Sequence, residues 1–194
     1  MGSGLPGRMP EMRYAMRFDR AWLIHRAAWL WLALLGNCLV AQADDPPGEH
    51  AVRAAMVFNF LKFSELPHEV MVGSATIDIC LAVGDARQAE ALGALSGRKV
   101  AGRELNVMPL NGGGEECHVL YVDSRQRWNS LRNRPRLRRA LSISAYPGFA
   151  RDGGIIEIAV ESDGARFDIN LADSRHTGIR FTPQMLRLAR RIYD

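Results

Sequence analysis

The sequence predicts a single α/β domain, a sandwich in which helices flank a mixed β-sheet. Three observations predict it. Segments whose apolar residues recur every second position alternate along the chain with segments of helical period. An Asp163-Gly164 pair joins two alternating runs, a strong signal for an antiparallel hairpin. The composition, 47 % hydrophobic and 24 % charged over 194 residues, is that of one ordinary globular domain.

The N-terminus reads as an export signal. Five arginines lead into the apolar run from Ala27 to Val40, and Ala41-Gln42-Ala43 then supplies the small-x-small pattern cut by signal peptidase. The run is about 14 residues, short of the roughly 20 that a spanning helix needs. Cleavage is expected after Ala43 and export to the periplasm with it. Cys38 is a poor lipoprotein site, because Asn37 stands where a small residue is wanted. The chain thus divides into a signal peptide (1–43), a flexible segment (44–50) and the α/β domain (51–194). The leader takes 5 of the 25 basic and 2 of the 21 acidic side chains, leaving 20 and 19. A nearly neutral remainder gives no reason to expect a nucleic-acid partner.

Val52 to Phe63 is apolar on most faces and reads as a largely buried helix ended before Pro67. Thr76 to Val83 alternates and reads as a strand closed by Gly84-Asp85. A short helix over 87–95 follows, with Gly97 at a left-handed cap position, and then a strand from Glu104 to Leu110. Asn111 to Gly114 is a turn. A glycine run cradles phosphate when it opens a helix, whereas Cys117 to Val122 is another strand. The helix from Arg125 to Ala140, interrupted by Pro135, carries seven arginines, a solvated face or a surface for an acidic partner.

Leu141 to Ser144 begins a further strand, and Gly153-Gly154 opens the hairpin with arms at Ile155–Glu161 and Arg166–Leu171. Asp168 and Asn170 alternate with Phe167, Ile169 and Leu171, as in a half-exposed strand. Ser174-Arg175-His176 reads as a polar turn. Thr182-Pro183 offers an N-cap and a proline at the first helical position of an amphipathic helix expected to close the chain, with Met185, Leu188, Ala189 and Ile192 on its apolar face.

Removal of the leader leaves Cys80 and Cys117 as the cysteines of an exported chain. An oxidising compartment and placement on or beside adjacent strands predict one disulfide between them. The residues announce no catalytic arrangement: neither a nucleophile beside a base nor a carboxylate pair stands out, and the histidines are scattered. His118 with Glu115 and Glu116 is a weak metal set, since a disulfide consumes the Cys117 thiolate and a strand turns His118 to the opposite face. No cofactor, metal or enzymatic activity is expected.

Several ordered blocks resemble the YfiR-like family. They are the early helix Val52–Phe63 with Pro67, the strand Ile79-Cys80-Leu81, Cys117-His118-Val119-Leu120, Gly153-Gly154-Ile155-Ile156, and Arg166-Phe-Asp-Ile-Asn-Leu171 followed by Ser174-Arg175 and Gly178-Ile179. The resemblance implies a periplasmic protein that represses a membrane diguanylate cyclase by contacting its periplasmic sensor domain, lowering cyclic di-GMP and biofilm formation. It further implies sequestration by an outer-membrane lipoprotein and allows a homodimer. The Cys80–Cys117 pair matches the family's more widespread bridge. A second family bridge has no counterpart, since residues 140–155 contain no cysteine, and Leu66 stands where the family favours tryptophan. Phe149 and Phe181 are the apolar candidates for a partner surface, with Arg175 and Arg187 at its rim. The alternative expectation is a periplasmic small-ligand carrier, or an accessory subunit of another membrane sensor or receptor.

Overall fold

Alternation along each strand decides which core it feeds, and two cores result. A computed structural model of the chain describes residues 48–111, 116–162 and 164–194. The expected signal peptide and cleavage site, most of the 44–50 segment and the glycines of the expected Asn111–Gly114 turn lie outside the described residues.

Helix α1 (Glu49–Lys62) starts inside the segment expected to be loose and buries Ala54, Val57, Phe60 and Leu61, a single stripe at helical spacing. Strand β1 (Ser64–Glu65) and a short helix α2 (His68–Met71) follow. Strand β2 (Thr76–Ala82) leads to α3 (Ala86–Gly93), whose N-cap Asp85 accepts from the Arg87 and Gln88 amides. Strand β3 (Lys99–Val100), which the sequence reading missed, forms a tight hairpin with β4 (Arg103–Pro109). Its turn residues Ala101 and Gly102 sit at φ of 49° and 81°, the paired positive values that a two-residue hairpin demands.

Strand β5 (Val119–Val122), helix α4 (Arg125–Leu131) and a 3-10 turn (Pro135–Leu137) come next, so the arginine-rich segment expected as one interrupted helix stops at Leu131 and Pro135 opens a separate turn at its first position. Strands β6 (Leu141–Ser144), β7 (Ile156–Glu161) and β8 (Gly164–Asn170) complete the middle of the sheet, with β7 and β8 forming the expected antiparallel hairpin. Helix α5 (Leu171–Thr177), β9 (Arg180–Phe181), helix α6 (Pro183–Leu188) and β10 (Arg191–Tyr193) end the chain.

The main sheet runs β10-β8-β7-β6-β5-β2-β4-β3, and β1 pairs with β9 in a separate two-stranded ribbon. Strands β2, β4, β5, β6 and β7 are mutually parallel. Numbered along the chain, these five lie in the order 2-1-3-4-5, a doubly wound arrangement whose switch point falls between β2 and β5. One face packs Ile77, Ile79, Val119, Tyr121, Leu141 and Ile143 against α1 and Leu92 of α3. The opposite face packs Cys80, Ala82, Leu120 and Val122 against Trp128, Leu131 and Leu137.

Three expectations need correction. Asp168 and Asn170 are buried, at 1 % and 8 % exposure, because Asp168 is paired with Arg190 and Asn170 caps α5. Ser174-Arg175-His176 lies within α5 and is no turn. The closing helix ends at Leu188, and Ile192 sits instead in β10, parallel to β8. Arg190 supplies the reason: its amide donates to the Phe167 carbonyl at 2.8 Å and its guanidinium grips Asp168, which draws the chain into sheet register.

Candidate functional site

In a doubly wound sheet the carboxyl ends of the strands splay apart at the switch point and leave a crevice there. Such a cleft of about 630 Å³ opens here, and each of its walls begins at a strand end or a helix start. Asp85 follows β2, Asp123 and Ser124 follow β5, and Ala145 follows β6, while α1 contributes Arg53, α3 Gln88, and α4 Arg127 and Ser130. Tyr121, at the end of β5, forms the floor.

Gln88 is 2 % exposed and ties the two helices together: its Oε1 accepts from Arg53 Nη1 at 3.3 Å, and its Nε2 donates to the His50 carbonyl at 3.5 Å. Arg53 also donates to Glu49 one turn earlier. Asp123 Oδ2 accepts from the Gly84 amide and so joins the loops after β2 and β5. A Cβ at position 84 would lie 2.7 Å from Arg127 Nη2, the far end of a half-exposed side chain that would have to move aside. Burial pushes the Tyr121 hydroxyl up from 10.0 to about 12; Arg53 opposes the shift, and Asp123, Glu49 and Asp85 add to it. Tyr121 is therefore a neutral hydroxyl at physiological pH.

Two buried polar atoms among the described residues lack a hydrogen-bond partner, and both belong to this cleft: Arg53 Nε and Asp123 Oδ1. Arg127 Nε lies 3.0 Å from Asp123 Oδ1, a charge contact without the alignment of a hydrogen bond. The arrangement thus offers one donor without a hydrogen-bond partner, one carboxylate oxygen held by a charge contact alone, and several hydroxyls, which is equipment for binding a polar solute. The cleft residues were missed by sequence reasoning because they come from four separate segments. The available signal was the pair of acidic loop starts, Gly84-Asp85 and Asp123-Ser124, at the ends of two strands.

The residues singled out from the sequence lie elsewhere. Cys80 and Cys117 form the expected disulfide, with Cα atoms 5.8 Å apart. Phe149 is fully buried between the rings of Trp128 and Tyr146, 5.0 and 5.1 Å centroid to centroid, so it is a core residue and offers a partner nothing. Phe181 is half-buried against the main core. Arg175 is exposed and paired with Asp194 at 2.7 Å, and Arg187 is exposed on α6. Both ring nitrogens of His118 are occupied: Nδ1 accepts from the Asp78 amide and Nε2 donates to the Val70 carbonyl, each at 2.9 Å. No cluster of three metal-ligating side chains occurs among the described residues.

Fold and cleft together define a doubly wound α/β domain with a switch-point cleft and an intradomain disulfide. Residues 50–190 match the YfiR/HmsC-like family, and the chain belongs to that family. Among solved structures, the chain is similar to a conserved domain protein from Vibrio cholerae O1 biovar El Tor strain N16961, with a TM-score of 0.43 and 11 % identity. The match covers 72 % of this chain and 59 % of that one, so the chain spans about three-fifths of that protein's resolved length. No curated protein matches the sequence. Among the described residues no helix is long and apolar enough to cross a membrane, and the disulfide and the family fit a periplasmic protein.

Proposed function

We propose that this protein is a periplasmic regulator that represses a membrane diguanylate cyclase by binding its periplasmic sensor domain and so lowers cyclic di-GMP. Membership of the YfiR/HmsC-like family is the observation that carries the reading. Repression works by population shift: the protein binds the inactive state of the sensor more tightly than the active one. The contact surface we favour is the end of the chain. There Leu188, 67 % exposed, ends α6 beside Arg187, and Ile192, 43 % exposed, follows on β10, the strand at the edge of the sheet. Sequestration by an outer-membrane lipoprotein and a homodimeric state belong to the same proposal.

Crosslinking of the tagged protein in its own cell envelope, followed by mass spectrometry, tests the reading. Recovery of a diguanylate cyclase is expected, together with raised cyclic di-GMP when the gene is deleted. Unchanged cyclic di-GMP across growth conditions would sink the cyclase reading. A second reading, a small-ligand carrier or accessory subunit of another sensor, draws on the switch-point cleft. Capture of a different membrane receptor would favour it.

A further inference from the structure

We infer that the switch-point cleft is a binding site for a neutral polyhydroxylated solute, of monosaccharide to disaccharide size. Its volume of about 630 Å³ lies within the usual range for small-molecule sites. The charge pattern selects the ligand class. Arg53 already faces Glu49, and Arg127 already faces Asp123, so an anion entering the cleft would have to compete with carboxylates at both guanidiniums. A cation would meet Arg53 and Arg127 in turn. A net charge of either sign would therefore lose its hydration against charges that are already matched.

A hydroxyl group has no such conflict, because it donates and accepts at once. Arg53 Nε, a donor, has no hydrogen-bond partner, and Asp123 Oδ1, an acceptor, meets Arg127 Nε without hydrogen-bond alignment; both atoms are buried, and a solute reaches them as the two part-exposed side chains shift. Hydroxyls of one solute answer both without any change in ionisation. Tyr121, 1 % exposed, adds a third hydroxyl-matching group on the floor, and Ser124 and Ser130 line the sides. The inference is independent of the membrane partner and is read on the isolated protein, so its failure and that of the cyclase reading are separate events.

Titration calorimetry on the protein purified from its own cell envelope tests it, using D-glucose, N-acetyl-D-glucosamine, D-ribose and trehalose beside inorganic phosphate and L-glutamate. Saturable binding of at least one sugar is expected, with none of phosphate or glutamate. Tyr121→Phe and Asp123→Asn should each weaken that binding roughly tenfold, the loss of one buried hydrogen bond. Near-ultraviolet circular dichroism shows whether each variant is folded. Should Asp123→Asn fail to fold, Tyr121→Phe decides, since it removes only the hydroxyl. Absence of binding by every sugar, binding of phosphate or glutamate instead, or undiminished binding in the folded variants would each overturn the inference.

Discussion

Arg190 holds Asp168 in a two-pronged grip, Nε to Oδ1 at 2.8 Å and Nη2 to Oδ2 at 3.0 Å, and the carboxylate it holds is almost wholly buried. That bonding keeps the guanidinium charged more firmly than usual, against the cost of its own partial burial. Replacing Arg190 by Met leaves a buried carboxylate unpaired and detaches β10 from its anchor. A loss of about 3 kcal/mol is expected, measured by urea unfolding. The double variant Arg190→Met with Asp168→Leu should recover much of it, because the cost lies in the abandoned charge.

Gly154 meets the ring of Phe149 so closely that a Cβ would lie 2.2 Å from it. Gly154→Ala must displace a ring locked between Trp128 and Tyr146. A destabilisation of roughly 2 kcal/mol follows, seen as a lowered denaturation midpoint. Gly48→Ala, with open space around it, serves as the control.

The disulfide closes a loop over a sequence separation of 37, worth roughly 4 kcal/mol in the chain-entropy model. Cys80→Ser should lower the melting temperature by several degrees and render Cys117 reactive towards thiol reagents on unfolding. The mature wild-type protein should show no free thiol under the same reagents. Finding two would overturn the assignment.

Alkali should reveal Tyr121. The native state holds its proton more tightly than the unfolded chain does, because its ionisation is pushed up from 10.0 to about 12. The stability this provides is complete below pH 10 and is lost as pH rises towards 12. Tyr146 shifts in the same direction, through burial and through its hydrogen bond to Asp152. Phenolate absorbance during a pH titration should therefore show two late tyrosines, and Tyr121→Phe should remove one.

Leu188→Glu or Ile192→Glu should weaken capture of the sensor domain at least tenfold while leaving the melting temperature within a few degrees of wild type, because both side chains are exposed. Raised cyclic di-GMP in cells carrying either variant is the accompanying readout. Normal repression by both would move the contact surface away from this edge.

Local patterns made most of the fold legible. Alternating runs located β2, β4 and β6, a continuous apolar run located β5, and Asp163-Gly164 located the β7–β8 hairpin, because each depends on neighbours in sequence. Errors arose where a distant residue overrode the local signal. Alternation placed Asp168 at the surface, since nothing nearby announces that Arg190 will cover it 22 positions later. The same pair ended the last helix early. Of the candidate residues, the cysteines were readable because exported thiols have few fates. The cleft was not, since strand order, which brings Arg53, Gln88, Tyr121 and Asp123 together, is written only in long-range pairing.

Between β4 and β5 the parallel connection carries no described helix, and Cys117 stands at its end, bonded back to β2. The covalent ring formed by that bond encloses α3, β3 and β4 entire. An unfolded chain that keeps this bond has the two strands of the switch point already joined, which shortens the loop that the least local pairing in this half of the sheet must close. The bond acts here as an architect's string line, marking the position of β5 even when the packing that keeps it there is lost.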